Sequence, residues 1–205
     1  MSTRKLYLYG ASGHGKVVAE IAELLGHNIG GFVDANPTIL KLLNYPVSSG
    51  LPIGEHDFFI SIGNNHIRKK VQQELANCQF ETLIHPNSFV SNRVDIGSGT
   101  VIMGGATINA DVTIGSHCIV NTNASVDHDC RIGDFVHISP NVALAGDVAI
   151  GQGTHIGIGA CVIQGVKTGE WCTIGAGTVV IRDVPDGATV VGNPGRIIKT
   201  NNPYK

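Results

Sequence analysis

The chain has 205 residues, a formal net charge of −2 and a sequence pI of about 6.5, so its length suits one large domain or two small ones. This near-neutral balance offers no electrostatic case for binding nucleic acid or an anionic membrane surface. No apolar run approaches the roughly 20 residues that a membrane-spanning helix requires. Charged residues make up only 15% of the chain and glycine occurs 27 times, which favours many short strands and tight turns over a helical bundle.

Five cysteines are spread widely through the sequence, and no two of them form a CxxC pair. They are Cys78, Cys118, Cys130, Cys161 and Cys172. An odd number of cysteines at wide spacing is typical of free thiols in a reducing compartment, so we expect a cytoplasmic protein.

The N-terminal third alternates between strands and helices. Apolar segments predict strands over residues 5–10, 29–34 and 57–65. A helix that ends at Gly26 follows the first strand, and a second helix is predicted over residues 66–78. Because strands that alternate with helices indicate a parallel α/β sheet, this third is predicted to be a Rossmann-like domain.

A glycine-rich turn, Gly10-x-x-Gly13-x-Gly15, links the first strand to the first helix. It departs from the dinucleotide fingerprint GxGxxG but occupies the same place, and Asp34 ends the next strand, 24 residues after Gly10. Backbone N–H groups at the start of a helix favour the binding of phosphate. The alternative is that these glycines only allow the backbone to turn. About 75 residues are too few for a full NAD domain, so residues 1–78 are predicted to bind a mononucleotide or a nucleotide sugar.

A period of six residues organises the sequence from Ile84 to Val180. One position of each hexad is a large aliphatic residue, with one threonine as the exception, and a second position is small or β-branched. The large positions are Ile84, Val90, Ile96, Ile102, Ile108, Ile114, Val120, Val126, Ile132, Ile138, Leu144, Ile150, Ile156, Val162, Thr168, Ile174 and Val180. The small positions are Thr100, Ala106, Val112, Cys118, Ala124, Cys130, Val136, Val142, Val148, Thr154, Ala160, Val166, Cys172 and Thr178. Glycine often follows the large residue, as at Gly97, Gly115, Gly133, Gly151, Gly157 and Gly175.

A six-residue period fits neither an α-helix nor a simple sheet, and it is the signature of a hexapeptide β-helix. Three hexads would make one triangular coil of 18 residues, with the large and small positions inside and the glycines turning the corners. The pattern resembles the left-handed parallel β-helix of the hexapeptide acyltransferases, and that resemblance implies the left-handed sense. This all-β domain is predicted over residues 79–205, including a short C-terminal tail. Cys118, Cys130 and Cys172 would be small core residues within it.

Two histidines and three aspartates interrupt the repeat in the stretch SVDHDCRIGDFVH. On the hexad register neither His128 nor His137 is inward, so both are predicted on the outer surface of the coil. Ala110 and Gly146 lie one coil before and after His128, which leaves room for a ligand beside it. With Asp129 to hold its imidazole, His128 is a candidate general base for acyl transfer, and a solvated surface histidine is the alternative.

A pair of stacked histidines supports a different hypothesis. His155 lies one coil after His137, and hexapeptide β-helices also carry zinc sites built from histidines across a trimer interface, as in the gamma carbonic anhydrases. A third ligand would have to be His117 or a residue of a neighbouring subunit. Because the sequence offers no obvious third ligand, and such enzymes lack this N-terminal domain, we expect no metal.

Four segments carry a more specific resemblance: YLYGASGHGKVV, ISIGNNHIRKK, NTNASVDHDCRIGDFVHISPNVALAGDVAIG and VVGNPGRI. Together they resemble the bacterial sugar acetyltransferases of the sialic acid O-acetyltransferase family, and within it the UDP-4-amino-sugar N-acetyltransferases of the bacillosamine pathway. The resemblance covers nearly the whole chain. It implies an acetyl-CoA-dependent enzyme of glycan biosynthesis and protein glycosylation that acetylates the amino group of a nucleotide-linked amino-deoxy sugar. O-acetylation of sialic acid or of another sugar is the alternative.

The same resemblance implies candidate site residues. His128 would be the general base and Asp129 its carboxylate partner, although the bacillosamine enzymes have glutamate there. His137 would hydrogen-bond the acetyl carbonyl of acetyl-CoA. The coenzyme groove would include Gly146, Ile158 and Ala176, the last in place of glycine. The substrate side would comprise Ser12, Gly13 and His14 for sugar and phosphate, Asp34, Gly63 and Asn64 for the uracil nucleotide, and Asn121 facing the groove.

The resemblance also implies a homotrimer, with each active site between two β-helices. Apolar residues on the outer faces, such as Ile119 and Ile163, agree with a partner subunit that covers them. A nucleotide sugar and acetyl-CoA are the expected ligands, and neither nucleic acid nor membrane is expected. The alternative from another class is a zinc hydratase-like protein, or a purely structural trimer that does not bind coenzyme A.

Overall fold

The structure is a computed structural model that describes residues 4–201. Within this range the chain forms an open α/β sheet followed by a three-sided parallel β-solenoid. No helix in these residues is both long enough and apolar enough to cross a lipid bilayer.

Six strands and two helices make up the N-terminal part. The strands are β1 (Leu6–Tyr9), β2 (Ile29–Val33), β3 (Lys41–Leu42), β4 (Tyr45–Ser48), β5 (Asp57–Ile60) and β6 (Gln79–Phe80). The helices are α1 (Gly13–Leu24) and α2 (Asn65–Glu74). The strand order is β3-β4-β2-β1-β5-β6, and every pair is parallel except β3–β4. Because β6 pairs with β5, this sheet extends past the predicted boundary at residue 78.

The two helices pack on opposite faces of this sheet. Leu8 and Phe32 on one face meet the apolar side of α1, whereas Phe58 and Ile60 on the other face meet α2. The structure contains the three predicted strands and both predicted helices, although α2 ends at Glu74 and not at residue 78. The β3–β4 hairpin was not predicted. The Rossmann-like classification stays a prediction.

Two-residue strands repeat along the rest of the chain and form the solenoid. In chain order they are β7 (Leu83–Ile84), β8 (Phe89–Val90), β9 (Asp95–Ile96), β10 (Val101–Ile102), β11 (Thr107–Ile108), β12 (Thr113–Ile114), β13 (Ile119–Val120), β14 (Ser125–Val126), β15 (Arg131–Ile132), β16 (His137–Ile138), β17 (Ala143–Leu144), β18 (Ala149–Ile150), β19 (His155–Ile156), β20 (Cys161–Val162), β21 (Lys167–Thr168), β22 (Thr173–Ile174) and β23 (Val179–Val180). Strands pair in parallel with those 18 residues further on, as Thr107 pairs with Ser125. The three resulting sheets are the sides of a triangular prism. The predicted coil of three hexads is confirmed, and its left-handed sense stays a prediction.

The interior of the prism is lined by the two inward positions of each hexad. Ile102 and Ile138 are fully buried, and Cys118, Cys130 and Cys172 are each at most 1% exposed. All five cysteines are free thiols. The three inside the prism therefore serve as small core residues, as predicted.

The glycines that follow the large aliphatic residues do not turn the corners, contrary to the prediction. A Cβ on Gly133 would lie 2.7 Å from Gln152 N in the next coil, so this position is glycine because adjacent coils approach closely. The corners are turned two residues later. Residues with positive φ recur there every six positions: Gly99, Gly105, Asp111, His117, Asn123, Asp129, Phe135, Asn141, Asp147, Gly153, Gly159, Gly165, Trp171 and Gly177. Most are Gly, Asn or Asp, because these residues tolerate left-handed backbone angles best.

The N-terminal part packs along one side of the prism. Helix α1 lies against the side that contains Leu83, Val101 and Ile119. Ile119 is therefore only 1% exposed, and the prediction that a partner subunit covers it is wrong, because the chain's own helix does so. Ile163 lies elsewhere on the prism and remains 38% exposed.

A hairpin closes the C-terminal end of the solenoid. Strand β24 (Ala188–Val191) adds in parallel to β22, and β25 (Arg196–Thr200) returns antiparallel to β24. Val184 bridges to Thr168 in β21, the last strand of another side, and Gly195 donates its N–H to the Val179 carbonyl in β23, the last strand of the remaining side. Each of the three sheets is thus covered at its end by chain that departs from the hexad pattern. The segment predicted as a short tail is this cap.

Candidate active site

The glycine-rich turn after β1 combines two structural glycines with an open one. A Cβ on Gly10 (φ +118°) would lie 2.7 Å from Ile62 Cγ1, and one on Gly15 would meet the Gly10 carbonyl oxygen. A Cβ on Gly13 would meet nothing within 4 Å. The first turn of α1 has no acidic side chain and no side-chain cap, so its backbone N–H groups favour an anion.

Ser12 and Asp34 flank this turn in different ways. Ser12 is the N-cap residue of α1, and its exposed hydroxyl makes no capping hydrogen bond. Asp34 Oδ2 accepts the N–H of Ala11 at 2.7 Å, and Oδ1 accepts the N–H of Asn36 at 2.9 Å. The Asp34 carboxylate therefore holds the turn in place, whereas the Ser12 hydroxyl is left for a ligand. A contact between Asp34 and a nucleotide base stays a prediction.

Gly63 and Asn64 precede α2 and both have structural tasks. Asn64 caps the helix, because its Oδ1 accepts the N–H of Ile67 at 3.0 Å. The Gly63 carbonyl accepts a hydrogen bond from Arg68 Nη1 at 3.2 Å and lies 3.3 Å from His137 Nδ1. Gly63 therefore connects the N-terminal part to the solenoid.

His137 and His14 meet across the interface between the two parts. His137 projects outward from β16, and its ring centroid lies 6.5 Å from that of His14 in the first turn of α1. Burial, followed by the Arg68 guanidinium, lowers the pKa of His14 to about 4. Burial, followed by His155, Arg68 and His14, lowers the pKa of His137 to about 3. Both rings are therefore neutral at physiological pH. His137 lies on the outer side of the coil, as predicted, but the N-terminal part covers it.

The stacked histidines use ring nitrogens for hydrogen bonds. The rings of His137 and His155 stack with centroids 4.8 Å apart. His155 Nε2 lies 2.9 Å from Ser139 Oγ, and His137 Nε2 lies 3.2 Å from Asn121 Nδ2. His117 lies apart from this pair, at a corner of the prism, where its ring packs against Phe80 and Phe135. Within residues 4–201 of one chain, no group of three His, Cys, Asp or Glu side chains is arranged to hold a metal ion.

His128 lies at a different corner of the prism and is open to solvent. It follows β14, and its side chain is 60% exposed. Its Nδ1 lies 2.6 Å from Asp129 Oδ2, so the neutral ring donates Nδ1–H to the carboxylate and presents a lone pair at Nε2. The Asp129 hydrogen bond, followed by the charge of Asp127, raises the pKa of His128 above its ordinary value of 6.5. The predicted contact between His128 and Asp129 is present.

Neighbouring residues shape the surroundings of His128. Gly146, one coil further on, is buried beneath the ring, and a Cβ there would lie 2.7 Å from His128 Nε2. Asp129 occupies a corner with φ +62°, a conformation that aspartate tolerates. Asp127 accepts hydrogen bonds from Asn109 Nδ2 and the His128 N–H, both at 2.8 Å. Sequence reasoning did not single out Asp127 and Asn109, although their spacing of one coil was a usable signal.

Most of the predicted site residues fall into two groups on one chain. The first, which we call the interface cluster, consists of Ser12, Gly13, His14, Gly63, Asn121 and His137. The second, which we call the base cluster, consists of His128, Asp129 and Gly146. Ile158 and Ala176 are exposed on the corner that begins at Asn121, further along the prism. A whole side of the prism separates this corner from the base cluster, so one chain does not bring the two clusters together.

Comparison with known proteins agrees with this architecture. Residues 5–75 match the family described as PglD N-terminal domain. The acetyltransferase domain of PglB from Neisseria gonorrhoeae FA1090 is 40% identical with a TM-score of 0.89, and the match covers 96% of this chain and 100% of that chain. The chain belongs to the bacterial sugar N-acetyltransferases of the hexapeptide family. The resemblance found in the sequence is thereby confirmed.

Other proteins show which ligands accompany this architecture. Perosamine N-acetyltransferase from Caulobacter crescentus, solved as a histidine mutant in complex with CoA and GDP-perosamine, is 37% identical with a TM-score of 0.90, over 97% of this chain and 98% of that chain. The PglB domain has also been solved in complex with acetyl coenzyme A. UDP-N-acetylbacillosamine N-acetyltransferase of Bacillus subtilis (strain 168) is 48% identical over 48 residues, which is 22% of this chain and 22% of that protein.

Proposed function

We propose that this sugar N-acetyltransferase transfers the acetyl group of acetyl-CoA to the amine of a nucleotide-linked amino-deoxy sugar, with a UDP-4-amino-4,6-dideoxy sugar as substrate. The observation that carries the proposal is the His128–Asp129 pair, whose Nε2 lone pair is open to a substrate. UDP is supported by the local identity to UDP-N-acetylbacillosamine N-acetyltransferase. GDP-perosamine is the second candidate, because similarity to the perosamine enzyme extends over the whole chain.

The proposed reaction is a direct transfer between the two substrates. The neutral amine attacks the thioester carbonyl, an N–C bond forms, and the amine proton passes to Nε2 of His128. The tetrahedral intermediate then collapses with cleavage of the C–S bond, and the CoA thiolate leaves and takes up a proton. Asp129 holds the ring in the required tautomer and stabilises the imidazolium that forms. Cys118, Cys130 and Cys172 are buried in the core and take no part.

We propose that the interface cluster binds the nucleotide sugar. The open N-terminus of α1 and the free hydroxyl of Ser12 suit a diphosphate. Residues 1–78 would thus contribute to binding the nucleotide sugar. Residues 79–205 would contribute the general base and the coenzyme groove along Ile158 and Ala176. Free thiols at all five cysteines support a cytoplasmic location.

We propose a homotrimer in which the base cluster of one copy faces the interface cluster of its neighbour. The support is the separation of the two clusters on one chain, together with the apolar Ile158 and Ile163, which are 53% and 38% exposed. A closed cyclic assembly places two different corners of identical chains opposite each other. His128 would then reach the amine of a sugar that the neighbouring copy binds.

Replacing Asp129 by asparagine is expected to move the acid limb of the pH–rate profile. A general base must be neutral, so activity rises with pH through the pKa of His128, which lies above 6.5 because Asp129 accepts its Nδ1–H. In Asp129→Asn that pKa falls, so the acid limb shifts to lower pH while the plateau rate drops. The measurement is kcat/KM against pH for both proteins, and an unmoved acid limb would assign the limb to another group.

The mass of the product tests the proposed function. The protein is incubated with acetyl-CoA and a UDP-4-amino-4,6-dideoxy sugar, GDP-perosamine, a dTDP-amino sugar or free sialic acid. Gain of one acetyl group on a nucleotide amino sugar is the expected result, and it identifies the nucleotide of the substrate. Gain on sialic acid alone would establish the O-acetyltransferase alternative, and gain on none would contradict the proposal. Mass is preferable to a thiol-reactive dye because the protein carries five free thiols.

A further inference from the structure

A buried arginine joins the two parts of the chain. Arg68, in the first turn of α2, is 1% exposed, and every one of its N–H donors has an acceptor within 2.7 to 3.2 Å. The acceptors are the carbonyl oxygens of Ile62, Gly63, His117 and Phe135 and the side-chain oxygen of Asn65. None of them is a carboxylate. Burial lowers the pKa of Arg68 to about 10, so the guanidinium stays charged at neutral pH.

One of these acceptors also contacts His137. The Gly63 carbonyl oxygen lies 3.2 Å from Arg68 Nη1 and 3.3 Å from His137 Nδ1. A carbonyl oxygen can only accept, so its contact with His137 is a hydrogen bond only when the imidazole proton is on Nδ1. The neutral ring therefore carries its proton on Nδ1 and a lone pair on Nε2.

The other ring nitrogen determines the orientation of Asn121. His137 Nε2 lies 3.2 Å from Asn121 Nδ2, and Asn121 Oδ1 accepts the N–H of Thr122 at 2.8 Å. A flipped amide would place its oxygen against the lone pair of Nε2 and its NH₂ group against the N–H of Thr122. The amide is therefore fixed at both ends. Its second N–H has no acceptor among residues 4–201 and is available to a ligand.

We propose that Arg68 is a positioning residue that holds the Gly63 carbonyl against His137, fixes the proton of His137 on Nδ1 and thereby presents an N–H of Asn121 to the acetyl carbonyl. The inference rests on the proposed function in one respect, that the acyl group binds beside Asn121. His137 was predicted to hydrogen-bond the acetyl carbonyl itself. In this arrangement its Nδ1–H is committed to Gly63, so Asn121 is the donor that stabilises the oxyanion.

A positive charge on His137 would destroy this arrangement, because Nε2 would become a donor and face the NH₂ group of Asn121. Burial opposes that protonation most, followed by His155, the charged Arg68 and His14. Arg68 thus acts on the same tautomer in two ways, through the Gly63 carbonyl and through its charge.

The tautomer of His137 in the full-length wild-type protein is the first measurement. Ring ¹⁵N shifts at neutral pH distinguish a protonated nitrogen from an unprotonated one, and the His137→Gln variant assigns the signals. We expect a protonated Nδ1 and an unprotonated Nε2. A proton on Nε2 would overturn the proposal whatever the protein acetylates, so this result is independent of the proposed function.

Arg68→Lys tests the chain of contacts, because lysine keeps the charge but has three donors in place of five. We expect a folded protein with mixed His137 tautomers and a kcat lowered by about 10–100-fold, the usual effect of losing a partner that orients a site residue. Lys70→Met, an exposed position on the same helix, is the matched control and should change neither quantity. An unchanged tautomer and kcat in Arg68→Lys would overturn the proposal.

Asn121→Ala provides a second test, which does not depend on whether Arg68→Lys folds. Loss of an oxyanion donor is expected to lower kcat by about 10²–10³-fold with a smaller effect on the KM for acetyl-CoA. A kcat near that of the wild type would overturn the role of Asn121. Absence of acetyl transfer by the wild-type protein to any sugar would instead contradict the proposed function and leave the tautomer result in place.

Discussion

Replacing His128 by alanine is expected to lower turnover on the nucleotide amino sugar by about 10²–10⁴-fold, the usual contribution of a general base. The imidazole is the group whose Nε2 is open while its Nδ1 is held by a carboxylate. Because the side chain is 60% exposed and lies outside the core, the fold should persist. The measurement is steady-state turnover by product mass, together with the Tm of the variant.

The control for this experiment is a histidine outside both clusters. His27 follows the end of α1, at the opposite end of that helix from the glycine-rich turn, and His27→Ala should turn over at the wild-type rate. Binding of acetyl-CoA to His128→Ala should also persist, because the His128 ring acts on the amine and not on the coenzyme. Turnover of His128→Ala close to that of the wild type would remove His128 from the mechanism.

Two defective variants are expected to restore activity when they assemble together. His128→Ala damages the base cluster, and His14→Ala damages the interface cluster, so each protein alone has a defect at every site. In mixed trimers some sites combine an intact base cluster of one copy with an intact interface cluster of the next. Each trimer that contains both variants has one intact site of its three, so trimers purified for both variants should show about one third of wild-type turnover.

Co-expression with two affinity tags, followed by purification on both, provides the mixed assemblies. The matched control combines His128→Ala with His128→Asn, since two defects in the same cluster cannot complement each other in any arrangement. Recovery in the first mixture but not in the second is the expected result. If the first mixture is no more active than its components, the site lies within one chain and the proposed arrangement between copies is wrong.

The solenoid could be predicted because the sequence pattern that determines it is local and repeats every six residues. The step from Ile84 to Val90 and onward determines which side chains point inward, and counting along the same register places His128 on the outside. The partner of its ring could be predicted too, because Asp129 is the next residue in the chain. Handedness has no such local signature, so it came from family resemblance alone.

Contacts between distant parts of the chain could not be predicted in this way. Arg68 looks like one of several basic residues on a polar helix, and its acceptors at His117 and Phe135 lie 49 and 67 residues away. The sequence predicts that Ile119 is exposed, whereas in the structure α1 covers it. The acid at Asp34 was predicted at the right turn, but sequence spacing does not reveal that its two oxygens are already occupied by backbone N–H groups.

The cap at the C-terminal end has a consequence for the solution behaviour of the protein. Each coil presents to the next a row of unpaired backbone groups at a fixed spacing, so an uncovered last coil would be a template for a coil of another molecule. The return strand β25 occupies that template on one side, and the bridge at Val184 and the segment around Gly195 occupy it on the other two. A chain that stopped after Val191 would keep its hexads yet expose β24, and it would tend to grow end to end into fibres.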